Sequence, residues 1–463
     1  MFRALLGMFG STRTRRSRRP QRRAQAAERV SGTNFAPSGG EGGGDPKVLL
    51  ANMSGDTGGA ISQKLSELLG TCDGIEVYRS NKELKQPKDA DLVRRLMASA
   101  ELGREMLAEQ QADILLWGEV QGDNLRLRFV PMIPCNDNLP GAFGLGDTLE
   151  LPASAIEDLL PAVHASVLAA VGPTFQGMKG RISKSLGQAM QTARGVVQAQ
   201  PEGASSAQHA TMLTTLGNAF SVQYRLSKNA KNLENAAAVY RSAVKRISAD
   251  SETDIWAVAQ SHYATALKAI GTADKDEDAL KQAAVAYQEI TETLGRDRHP
   301  YDWALAHINH GLVLYRLSMR TGRANYLQEA GKAFEEALTV YTKEIMPARW
   351  AEVMNQYGVI LMAHGEQVTG NVTLELAVKK FRKVMEVRKR DRSPQLWAQT
   401  ANNLGAACFA LAKRNAEVAL LREAVSCFEG AAEVYLEAGQ VKKAEVIQSN
   451  MARVQRLLSA RGG

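Results

Sequence analysis

The sequence predicts two architectures in one chain, a small α/β domain on a mixed sheet followed by an all-α solenoid of five helical hairpins. Three observations predict it. Trp256, Trp303, Trp350 and Trp397 recur at a step of 47 residues, and an alanine follows each. Leu233, Leu280, Leu327, Leu374 and Leu421 keep the same step, each with an alanine three residues on, and Tyr240, Tyr287, Phe334, Phe381 and Phe428 keep it again. Upstream, short apolar runs alternate with amphipathic stretches, the pattern of strands interleaved with helices.

The α/β domain is expected over residues 46–171. Lys47–Met53 reads as a buried strand, followed by the glycine-rich turn Ser54–Gly59 and a helix to Leu69. A second strand is expected at 75–78 and a long helix at 88–110. Ile114–Val120 and Leu125–Val130 flank Gly122-Asp123-Asn124, a hairpin signal. A strand at 147–151 and a helix at 153–171 complete the order β-α-β-α-β-β-β-α, which stacks helices on a mixed sheet. Residues 172–208 read as a connecting helix and linker.

Within each 47-residue unit the leucine, alanine and aromatic positions are spaced i, i+3, i+7, one stripe of a helix. The segment opening at tryptophan makes the other helix. It carries Gly217, Gly311, Gly358 and Gly405 at one position, with Ala264 in the remaining unit, as a close helix–helix approach demands. Pro300, Pro347 and Pro394 stand three residues before a tryptophan and suit a helix start. A hairpin of this kind cannot bury its apolar stripe alone and must stack on its neighbours. The units span 209–255, 256–302, 303–349, 350–396 and 397–443, and a polar capping helix is expected over 444–463.

Charge is concentrated at one end. The net charge is +8, and the nine arginines and one glutamate of residues 1–30 account for all of it, so the rest of the chain is neutral and has no global field for polyanions. Residues 1–45 read as a disordered basic tail and Gly-rich linker. Three readings of the tail follow. It is a solvated extension, or a contact with anionic membrane or another polyanion through Phe2, Arg13, Arg15, Arg16, Arg18, Arg19, Arg22 and Arg23, or an organellar transit segment. Specific nucleic-acid binding is not expected, because the arginines lack interleaved aromatics. No apolar run reaches the length of a membrane-spanning helix, and no standard secretory signal is read. Cys72, Cys135, Cys408 and Cys427 form no CxxC pair and suit a reducing compartment. The expected location is the cytoplasm, with a peripheral contact at the inner membrane surface as the tail's alternative.

Two resemblances sharpen these expectations. Leu404-Gly405 followed by Ala424, Phe428 and Ala431, with Ala330-Phe334-Ala337 and Ala236-Tyr240-Ala243 repeating the second half, resembles the tetratricopeptide signature in position order. Tyr287 and Phe381 keep the aromatic but are followed by Ile290 and Val384. The longer period is accounted for by longer helices and loops, so the array looks like extended tetratricopeptide repeats. Val48–Asp56 and Ala112–Val120 resemble the amino-terminal module of TolB, here without its export signal, in a bacterial arrangement of module and repeats. That resemblance implies a docking module with no known chemistry.

No GxSxG, HExxH, CxxC pair or kinase set occurs, so no catalytic residue, metal or cofactor is expected. The Ser54–Gly59 turn lacks the Gly-Lys-[Ser/Thr] end of a phosphate loop and reads as a plain turn. His307 and His310, one turn apart, lack carboxylate or cysteine company and read as packing residues. The more informative constellation precedes the glycine position by two, where Thr215, His262, Asn309, Gln356 and Asn403 are polar in all five units. The tetratricopeptide resemblance places this helix face in a concave groove that binds extended peptides. The partner-binding residues expected there are Asn218, His262, Lys268, Asn309, Arg316, Gln356 and Asn403, side-chain amides serving peptide backbone and cations serving carboxylates. The sequence therefore reads as a non-enzymatic scaffold or adaptor for a protein partner. The rival readings are a regulatory subunit whose α/β domain binds a small ligand or nucleotide, and a tether to membrane or nucleic acid through the tail.

Overall fold

The computed structural model describes residues 44–84, 92–133, 138–144, 146–171 and 179–462. The tail contacts expected at Phe2, Arg13, Arg15, Arg16, Arg18, Arg19, Arg22 and Arg23 lie outside the described residues, as does Cys135. The architecture is a small mixed five-stranded sheet followed by tandem helices in a solenoid-like, all-α repeat region. The chain divides into two units, one ending at Asn309 and one beginning at His310.

In the first unit the strands are β1 (Lys47–Asn52), β2 (Glu76–Glu83), β3 (Ile114–Gln121), β4 (Asn124–Pro131) and β5 (Leu149–Pro152), in the order β2-β1-β3-β4-β5. β1 pairs in parallel with β2 and β3, and β3-β4-β5 is an antiparallel meander. Alternation along the strands divides the sheet's apolar residues between two faces. Leu49, Ala51, Leu115, Trp117 and Val130 pack on Leu96, Ala100 and Leu107 of α2 (Leu92–Gln110). Val48, Leu50, Ile114, Leu116, Leu125, Leu127, Leu149 and Leu151 pack on α1 (Ala60–Leu69) and α3 (Leu160–Val171).

Three boundaries differ from the sequence expectation. β2 runs on to Glu83 because as an edge strand with mostly exposed side chains it carries little apolar pattern. β5 begins at Leu149, which leaves Asp147 in the preceding loop. The expected helix at 153–171 is a short 3-10 turn, Ala153–Ala155, and then α3.

The core on the α3 face does not stop at residue 171. α4 (Lys179–Val197) buries Ile182, Leu186, Met190, Ala193 and Val197 in it, and α5 (Ser206–Ser227), α6 (Ala230–Val244) and part of α7 (Thr253–Ala273) join the same contiguous cluster. A capping box closes the start of α5, where Ser205 and Gln208 exchange side-chain and backbone hydrogen bonds. α5 is buried along its whole length from His209 to Val222, because β5 covers one side and α4 and α6 the others. The sheet and the first hairpin are thus one folding unit with no solvent layer between them.

α8 (Glu277–Thr293) pairs with α7, and α9 (Pro300–Thr321) carries the boundary between units. The second unit continues through α10 (Asn325–Leu338), α11 (Pro347–Gln367), α12 (Val372–Val387), α13 (Pro394–Asn415), α14 (Val418–Glu437) and α15 (Val441–Ala460). First helices begin at residues 206, 253, 300, 347 and 394, a constant step of 47 residues, so hairpins two to five open three residues before their tryptophans and the first three residues before His209. Pro347 and Pro394 occupy the first turns of α11 and α13. α15 presents Lys442, Glu445 and Arg456 outward and buries Ala444, Ile447 and Val454. No helix among the described residues is long and apolar enough to cross a membrane.

Candidate partner-binding row

The first-helix face is positioned by contacts between the two periodic registers. A Cβ placed on Gly217 would stand 2.4 Å from the Tyr240 ring, one on Gly311 or Gly358 2.7 Å from the ring of Phe334 or Phe381, and one on Gly405 3.2 Å from Phe428. Glycine on the first helix therefore admits the aromatic of the second, and each aromatic is fully buried. This locks the rotation of these four first helices and with it the direction of the residues flanking the glycine.

In the first unit the expected row is engaged internally. Thr215 is buried and donates from Oγ1 to the Met212 carbonyl at 3.1 Å. Asn218 accepts from the Tyr240 hydroxyl at 2.7 Å and donates from Nδ2 to Asp147 Oδ1 at 3.2 Å. His262 Nε2 lies 2.6 Å from the same oxygen, and its ring stacks on Tyr240 at 5.4 Å between centroids. Lys268 is buried, with Nζ donating to Asn309 Oδ1 at 2.8 Å and lying 5.7 Å from the Tyr287 ring centre. Asp147 is the residue that sequence reasoning missed. It bears no periodic signal and fell inside an expected strand.

In the second unit the row is partly exposed, and fewer of its polar atoms find partners among the described residues. Arg316 is exposed by area, yet desolvation lowers its pKa from the ordinary guanidinium value. The adjacent Tyr315 hydroxyl is buried without a hydrogen-bond partner, and burial pushes its pKa up. Gln356 is half-buried, and its Oε1 is buried and accepts no hydrogen bond from the described residues. Asn403 donates weakly to Asn355 Oδ1 at 3.3 Å, and the neighbouring Asn402, 5% exposed, has its Oδ1 buried and unpartnered. Arg316, Gln356 and Asn403 are the expected residues of this unit. Asn402 is not among them and is buried beside Asn403.

Two other sequence candidates have structural roles. Asp56 caps α1, accepting from Ile61 N at 3.2 Å, Ser62 N at 2.8 Å and Ser62 Oγ at 2.7 Å, so a carboxylate of the chain itself fills the helix start where a phosphate would sit. Burial alone would raise the Asp56 pKa, but the hydrogen bonds from Ser62 and Ile61, with Arg79 nearby, hold it below the ordinary value. Ser54 N donates to Gly118 O at 2.9 Å and Val120 N to Ser54 O at 2.8 Å, while a Cβ on Gly55 would meet Val120 O at 2.4 Å. The two segments quoted for the module resemblance therefore clamp each other. The His307 ring sets its edge on Trp303, 4.2 Å between centroids, and no group of three or more metal-ligating side chains gathers among the described residues.

No family model and no curated protein sequence matches the chain. Among solved structures, the chain is similar to a "circular tandem repeat protein with novel repeat topology and enhanced subunit contact surfaces", at 15% identity over 67% of this chain and 85% of that one, with a TM-score of 0.29. It is also similar to a structure described under "computational design of self-assembling cyclic protein homooligomers", at 17% identity over 62% of this chain and 95% of that one, with a TM-score of 0.15. At these TM-scores neither likeness bears on what the chain binds.

Proposed function

We propose that this chain is a scaffold or adaptor that binds an extended polypeptide along the partly exposed row of its second unit, through Arg316, Gln356 and Asn403. The observation that carries this reading is the pair of half-buried amides, Gln356 and Asn403, at equivalent positions of successive first helices, with the exposed Arg316 one hairpin earlier. Backbone N–H and C=O groups of an extended strand are the partners that two such amides one hairpin apart can take. Arg316 then meets a carboxylate or carbonyl of the same segment. The position order of Leu404, Gly405, Ala424, Phe428 and Ala431 supports a tetratricopeptide relationship with longer helices, and the interlocked Ser54–Asp56 and Gly118–Val120 segments support the TolB-like module.

The test uses the full chain with a photo-crosslinking residue at Gln356 and, separately, at Val285, which is 55% exposed on α8. Crosslinking to one polypeptide from Gln356 only, followed by a loss of about tenfold in affinity for that polypeptide in Q356A/N403A, supports the proposal. Equal capture from both positions, or unchanged affinity in the double variant, rejects it. The rival nucleotide reading is disfavoured by Asp56 at the start of α1 and predicts a melting shift with nucleotide that the scaffold reading does not. Contact of the basic tail with anionic lipid is a separate proposal, resting on its nine arginines and the apolar Phe2, Leu5, Leu6 and Phe9. Deleting residues 1–30 should then abolish co-sedimentation with anionic vesicles.

A further inference from the structure

We infer that Asn218 and His262 form a carboxylate-binding seat across the first helices of hairpins one and two, and that Asp147 fills it in cis. The filled seat makes the α/β part the amino-terminal cap of the array. It lies outside the row proposed above and stands or fails without it.

The hydrogen-bond directions define the seat's chemistry. Ser221 Oγ is 3.2 Å from the Tyr240 hydroxyl, and that hydroxyl donates to Asn218 Oδ1 at 2.7 Å. The Asn218 amide is thereby oriented with Nδ2 outward, a fixed donor. His262, held flat against the Tyr240 ring, supplies a second N–H. Both donors converge on one oxygen of Asp147, at 3.2 and 2.6 Å, while the other oxygen accepts from Gly144 N at 2.7 Å. A buried donor and a part-buried one aimed at one point select an acceptor with several lone pairs and negative charge, which among side chains is a carboxylate.

The surroundings explain why the seat is filled from within. Gly141 lies so close to α5 that a Cβ there would stand 2.5 Å from Asn218 O, and Gly146 leaves Val258 of α7 at 3.4 Å. The loop carrying Asp147 thus lies against both first helices. Alongside it, Glu150 N donates to Thr211 Oγ1 at 2.9 Å and Gln208 Nε2 to Asn124 Oδ1 at 2.9 Å. A helical array must end on elements that cover its last apolar stripe. Here the sheet does so by shared core, and the Asp147 seat ties it to the second hairpin as well as the first.

Chemical rescue tests the seat. In the full chain, D147G leaves Asn218 and His262 without an acceptor and is expected to lower the melting temperature. Sodium acetate, compared with chloride at equal ionic strength, should then raise the melting temperature of D147G saturably, by about 2–4 °C. It should not do so for wild type or for D147G/N218L. An acetate shift in D147G no larger than in wild type overturns the proposal. If D147G does not fold, a polarity swap decides. N218D sets two carboxylates together and should destabilise. D147N/N218D should recover stability, because the amide introduced at position 147 donates one N–H to the carboxylate introduced at position 218 and the other to His262 Nε2, which accepts in its other tautomer. A double variant no more stable than N218D alone overturns it.

Discussion

The Tyr287 hydroxyl lies 2.7 Å from Thr265 Oγ1, and one hairpin earlier the Tyr240 hydroxyl lies 2.7 Å from Asn218 Oδ1. Both tyrosines are fully buried, so each hydroxyl needs a partner from the facing first helix. Where the second helix carries Phe334, Phe381 or Phe428 instead, the corresponding first-helix residue is Leu312, Val359 or Ala406. The polarity of one helix thus follows the hydroxyl of the other.

This coupling predicts non-additive stability. Y287F leaves Thr265 and T265V leaves Tyr287 without its partner, and each should cost about 1 kcal/mol. The double variant reproduces the apolar pairing of the later hairpins and should cost clearly less than the two singles together. Denaturant unfolding of the four proteins in a double-mutant cycle measures the coupling.

The glycine register predicts a second contrast. G358A puts a Cβ 2.7 Å from Phe381 in a closed core and should destabilise by about 1–3 kcal/mol. G180A, in α4 with nothing within 4 Å of the added atom, should stabilise by about 0.5–1 kcal/mol through helix propensity. Thermal unfolding of both variants beside the wild type reads the two signs.

Much of this was legible in the sequence, for a physical reason. A repeat multiplies every packing constraint, so the 47-residue step of Trp256, Leu233 and Tyr240 shows helix, partner and register together. The tyrosine–polar and phenylalanine–apolar correlation was equally present, although Asn218 reads as a surface residue until the Tyr240 hydroxyl is placed beside it. Asp147 was not legible, because its partners His262 and Asn218 are 115 and 71 residues away and belong to no shared period. The division between a row engaged by the chain itself and a partly exposed one has the same origin. It depends on where the sheet lies against α5, which no local pattern encodes.

Asp56 predicts the acid limb of the stability curve. Its pKa is held down in the folded chain, so its contribution is present above the unfolded value near 3.8 and is lost as pH falls through the lower folded value. D56A should therefore be destabilised by about 1–2 kcal/mol at neutral pH, where the capping bonds are intact. Below about pH 4 its stability should converge on that of the wild type. Urea titrations from acid to neutral pH would show the two curves closing.

The thiols of α13 and α14 predict the alkaline limb. Burial, with Glu423 close by, pushes the Cys427 pKa up to about 12 and raises that of Cys408 as well. An unfolded thiol ionises near 9, so the stability these groups contribute is complete below that pH and declines as pH rises above it. At about pH 8, below the ordinary thiol range, iodoacetamide should label both residues far more slowly in the folded chain than in urea. Mass spectrometry of the two peptides over time gives the ratio, and comparable rates would show the thiols to be accessible.

Gln356 supplies the clearest separation of stability from binding. Its Oε1 is buried with no donor among the described residues, although the residue lies on a helix whose neighbours Tyr357, Gly358 and Val359 are packed at core density. An unmade hydrogen bond of that kind is a standing cost, and an apolar side chain of similar length removes it. Q356M should therefore raise the unfolding free energy by about 0.5–2 kcal/mol while weakening the polypeptide interaction proposed for the row. A gain in stability with loss of binding means that the amide is retained for a ligand. A loss of stability would mean instead that the amide already serves the fold, and the row would lose its strongest member.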